Sequence, residues 1–215
     1  MGSWEYFVIS SYIFPIGIGM ALLIQRRLSF AGGVLWAYLL FTFGVELISS
    51  ILASKGINNL WLYRIYMYGE LVFPILFFFN QFSKQRSKIL LLIVLITALV
   101  LTTLTNIFDD WSKYASVQTS ITFACIAFVI ISYFVEMFQL EKVFNPFKDV
   151  YFVVGGVMLL SYSSILLYNV LYDYVIRGYV GSEVRSILHI VNSGLILFYN
   201  VLYSYALWLS RYRLT

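Results

Sequence analysis

Residues 88–107 read KILLLIVLITALVLTTLTNI, and after Lys88 the stretch carries no charge. Twenty residues at about 1.5 Å each cover roughly 30 Å, the hydrocarbon thickness of a bilayer. Inside hydrocarbon a lone segment satisfies all its backbone groups internally only as a helix. The stretch therefore predicts a membrane-spanning helix. Similar runs precede and follow it, and helices are predicted near 5–25, 29–54, 60–82, 88–107, 114–139, 149–174 and 184–210. The connections between them are short. The chain is read as all-α, a polytopic bundle of seven transmembrane helices forming one domain over 1–215.

Composition points the same way. Of 215 residues, 61% are hydrophobic and 11% charged, against roughly a quarter charged in soluble domains. The net charge of +4 sits in short loops between apolar runs, so topology explains it better than nucleic acid, and no nucleic-acid partner is expected. No segment is large enough for a soluble domain, so kinase, nuclease or nucleotide-binding activity would belong to a partner. Cys125 is the single cysteine and lies in an apolar run, which excludes an intramolecular disulfide or a thiol pair. The N-terminus, Met1-Gly2-Ser3-Trp4-Glu5, lacks the basic stretch of a cleavable signal peptide, so the first segment is expected to remain.

Lysine and arginine set the orientation. Arg26, Arg27, Lys84, Arg86, Lys88, Lys142, Lys148, Arg211 and Arg213 fall on one side; Lys55, Arg64, Lys113, Arg177 and Arg185 fall on the other. Nine against five predicts a cytoplasmic (plasma or inner) membrane protein with its N-terminus outside and C-terminus inside. The eighteen tyrosines crowd towards segment ends, where amphipathic rings anchor at headgroup depth. Pro15 and Pro74 predict kinks in the first and third segments. A faint repeat lays Gly32-Gly33-Val34 on Gly155-Gly156-Val157, and Arg64 on Arg185. Unless it is chance similarity between Leu- and Phe-rich helices, it implies a three-plus-one-plus-three parallel pseudo-repeat about the membrane normal.

Ionisable groups in hydrocarbon cost about 2.5–3.5 kcal/mol each on insertion scales, so they mark sites. Glu46 shares a face of the second segment with Thr42, Ser49 and Ser50. Glu70 lies in the third, one turn from both Tyr66 and Pro74. Arg64 is about 120° round the helix from Glu70, so its partner is on another helix or its side chain snorkels to the interface. On the last segment Arg185, His189 and Asn192 stand at i, i+4 and i+7, and the face continues through Tyr199, Asn200 and Tyr203. Gln118 and Asn169 complete the group. By orientation Glu46, Glu70, Gln118, Asn169, His189 and Asn192 occupy the outer half, whereas the inner half is drier, carrying mainly serines, tyrosines, Asn80 and Asn200, with Glu136 close enough to its helix end to reach the interface. The expectation is an outward-opening pocket of Glu46, Glu70, His189, Asn192, Asn169, Gln118, Arg64 and Arg185. Two carboxylates against one histidine favour a small polar or cationic ligand; polar hydrogen bonds that merely pack the bundle are the plainer reading.

No cofactor is expected, and an enzyme is the less favoured class. His189 with Glu46 and Glu70 is the one conceivable catalytic metal set. The histidine pair of seven-helix hydrolases is missing because Ser193 stands four residues after His189, and the last helix has no lysine for a retinal Schiff base. A sensor or receptor-like binder suits a one-sided pocket. The alternatives are a small-solute or ion carrier, an intramembrane hydrolase, and a structural subunit of a membrane complex. With short loops, signalling would need a membrane protein, a cytoplasmic protein on the basic face, or a second copy of the chain.

Overall fold

The computed structural model describes residues 3–108, 116–140, 145–176 and 182–211; within its helices the side chains of 3–6, 116, 168–176, 182–185 and 189 lie outside the description. Among the described residues the chain is helical, with no strand: α1 (Ser3–Ser11), α2 (Ile13–Ile24), α3 (Phe30–Ser54), α4 (Leu60–Phe79), α5 (Gln85–Phe108), α6 (Ser116–Gln139), α7 (Val150–Ile176) and α8 (Ser182–Ser210), with a short 3-10 turn at Pro146–Lys148. Seven spans are long and apolar enough to cross a membrane, α1 and α2 together supplying the first.

That first segment is broken at Tyr12. Pro15 has no N–H for the carbonyl four residues back, and its ring crowds that turn. The Tyr12 amide reaches Ile9 O at 3.3 Å, and Ser11 Oγ donates to Val8 O at 2.6 Å. Pro74, by contrast, is carried within an unbroken α4. Where Gly56 adopts φ +69, α3 ends with the Ile57 amide on Leu52 O and the Gly56 amide on Ala53 O, the left-handed close that glycine allows at little cost. Ser29 starts α3 by accepting from the Gly32 amide at 3.1 Å.

Round the bundle, α2 packs on α3, α3 on α4, α4 on α6, α6 on α7 and α7 on α8, and α8 closes the ring on α1 and α2. Helix α5 stands outside, chiefly against α4 and α6, presenting Ile93, Ile96, Val100 and Ile107 outward. In lipid such a face needs no cover. The pseudo-repeat is not confirmed: Gly32 meets Ser210 of α8, whereas Gly155 meets Ile130 and Phe134 of α6. The core is aromatic where α4 ends. Phe77 and Tyr151 rings lie 4.8 Å apart and Phe78 and Tyr133 rings 5.2 Å, an apolar plug on the side where α6 ends and α7 begins.

Candidate functional site

Glu70 is at the centre of the bundle, 1% exposed. A carboxylate taken from water needs donors, and here they are phenols. Tyr38 of α3 donates to Oε1 at 3.0 Å and approaches Oε2 at 3.3 Å; Tyr162 of α7 donates to Oε2; Tyr66, one turn earlier on α4, also faces the carboxylate. Each phenol is held by a further ring. Tyr162 stacks on Phe123 with centroids 4.6 Å apart, Tyr38 meets Phe73 at 6.1 Å, and Tyr66 stacks on Phe41 at 6.0 Å and 11°. Phe41 fits because residue 69 is glycine: a Cβ there would run into its ring.

Beside this centre is a cavity of about 70 Å³ walled by Tyr12, Tyr38, Tyr66, Tyr162, Tyr199 and Tyr203. Thr42 and Asn200 supply polar wall atoms. Asn200 Nδ2 donates to Ser11 Oγ at 2.6 Å, while the buried Thr42 Oγ1 has no partner among the described residues. Glu46, half-buried one turn along α3, and Glu70 both lie within electrostatic range of Tyr12. The volume is that of a few water molecules at about 15 Å³ each. The Glu70 carboxylate accepts from three of the phenols that wall the cavity.

The expected single pocket is divided. Arg64 and Gln118 are both fully buried, but on the α5–α6 side of α4. Arg64 Nη1 donates to Asn106 Oδ1 at 3.1 Å, and Gln118 Nε2 donates to the same oxygen and to Thr102 O at 3.4 Å. Asn106 Nδ2 in turn donates to Tyr68 Oη at 2.9 Å. Arg64 therefore does not snorkel; its partner is on another helix. Asn192 is half-buried and does not line the cavity. The side chains of Asn169, Arg185 and His189 lie outside the described residues. Among those described, no three His, Cys, Asp or Glu side chains converge to hold a metal.

Glu136 lies near the end of α6, one turn from Gln139, and is bonded there rather than left to solvent. It is 6% exposed and caps α5: it accepts from the Ser83 amide at 2.7 Å, the Lys84 amide at 3.2 Å, Ser83 Oγ at 2.6 Å and Ser87 Oγ at 2.7 Å. Gln81 Nε2 also donates to Tyr151 Oη there, at 2.7 Å. Sequence reading missed Tyr12 and Tyr38 as cavity walls and Asn106 as the hub of the arginine cluster. The usable signal was spacing: Tyr66 precedes Glu70 by four residues, and Tyr199 precedes Tyr203 by four. Searches of protein-family models, curated proteins and solved structures find no match for this chain.

Proposed function

We propose that this membrane protein is a receptor-like binder of a small organic cation, an ammonium of a few heavy atoms, held in the tyrosine-walled cavity beside Glu70. The observation that carries it is the convergence of phenols from three helices on one buried carboxylate next to a void walled by six tyrosine rings. Cation–π attraction strengthens on desolvation, to about 2 kcal/mol or more, and an unpaired buried carboxylate supplies the counter-charge. On the lysine and arginine count the cavity is entered from outside, and the short loops leave signalling to a partner pressed by the helix ends. The test is thermal denaturation of the purified protein with methylammonium, trimethylammonium and tetramethylammonium, against tert-butanol as neutral control. A ligand at a hundred times its Kd adds about 2.7 kcal/mol, so the midpoint should rise with a cation and not with the alcohol, and Glu70→Gln should abolish the rise. No cation-dependent rise, or an equal rise in Glu70→Gln, would overturn the reading.

A carrier is the second reading, favoured by the break at Tyr12. Where two half-helices meet at a cavity wall, backbone carbonyls can face a solute, and Pro15 leaves the Ser11 carbonyl without its usual amide donor. Radiolabelled methylammonium uptake by proteoliposomes separates the two: flux supports the carrier, and stabilisation without flux the receptor.

A further inference from the structure

Between the start of α5 and the outer side of α6 runs a slot of about 300 Å³, separate from the tyrosine cavity. Its length is apolar: Phe128, Ile131 and Val135, all 44–52% exposed, recur along α6 and span about 10 Å of helix. Its mouth is polar, formed by Lys84, Ser87 and Gln139. Glu136 also borders the slot, bonded to the amides and hydroxyls that cap α5. Those donors are neutral, so its charge stands beside that of the Lys84 ammonium, which donates to the neutral Gln139 amide oxygen at 3.3 Å. Arg86 follows two residues on and Lys88 four, its ammonium 5.9 Å over the Phe79 ring, so basic charge outnumbers the Glu136 carboxylate at this helix end and attracts anionic headgroups.

A cation at the mouth, an apolar trough below it and a position at the end of two membrane-crossing helices match one kind of neighbour in charge and in shape. We infer that the slot is a binding site for an anionic phospholipid, its phosphate at Lys84 and its acyl chain along Phe128, Ile131 and Val135. The site does not depend on the tyrosine cavity.

Native mass spectrometry of the purified protein, equilibrated with phosphatidylglycerol and phosphatidylcholine of identical chains, tests it. The unaltered protein should retain phosphatidylglycerol several-fold over phosphatidylcholine. Lys84→Gln should bring the ratio towards one, and Ser132→Trp, which fills the trough, should lower retention of both lipids; Lys55→Gln at the other end of the bundle should change neither. Lys84 is exposed, so its variant carries the test even if the tryptophan variant fails to fold. Equal retention of the two lipids, or a preference unchanged by Lys84→Gln, would overturn the site. Displacement of phosphatidylglycerol by equimolar inorganic phosphate would assign it to a free anion and overturn the lipid reading.

Discussion

Glu70 and Glu136 are the same side chain at nearly the same burial, 1% and 6% exposed, yet their surroundings differ in kind. Glu136 takes its hydrogen bonds from a helix start: two amides and two serine hydroxyls within five residues. It fastens α6 to α5. Glu70 takes its bonds from phenols on separate helices, and those phenols have their rings in a cavity. Equal burial therefore hides different surroundings. Amides at a helix end need an acceptor anyway, whereas Tyr38 and Tyr162 both pack in the core and wall the cavity beside Glu70.

Three substitutions should break or sharpen this contrast, and the largest effect belongs to the structural acid. Glu136→Leu removes the acceptor of four hydrogen bonds. Ser83 and Lys84 are exposed, so water replaces part of the loss, and at about 0.5–1.5 kcal/mol net per bond a loss of about 3 kcal/mol is expected in chemical denaturation in detergent. The response of the remaining folded protein to tetramethylammonium should persist. Gly69→Ala drives a methyl into Phe41 and displaces the ring on which Tyr66 stacks; overpacking of this kind costs about 1–3 kcal/mol, and the cation response should weaken with it. Tyr162→Phe removes one hydroxyl from Glu70 for about 1.5 kcal/mol. In a double-mutant cycle with Glu70→Gln its effect should be strongly non-additive, whereas additive losses would show that the two groups do not act together.

The architecture was legible because a bilayer demands long apolar helices whatever their neighbours. Departures came where a distant contact decides. Helix α5 starts at Gln85 rather than Lys88 because Glu136, some fifty residues on, caps it. The first segment breaks at Tyr12, a place that Pro15 announced as a kink. Glu70 was legible as a buried acid, but grouping it with Arg64 and Gln118 treated equal depth as one site. Depth is a coordinate along the helix, and the face is another; the 120° between Arg64 and Glu70 already separated them. Most tyrosines were read as interfacial anchors, since composition cannot tell a ring at the headgroups from one turned inward by the packing of α3, α7 and α8.

The hydrogen bond from Asn200 to Ser11 joins residues 189 positions apart, and it carries a consequence for biogenesis. At about 5–20 residues per second of synthesis, the first segment waits roughly ten to forty seconds in the membrane before α8 exists to receive it. During that interval Ser11 and Tyr12 have neither their polar partner nor their cavity. Ring closure on α8 thus comes last, after the first segment has already been synthesised.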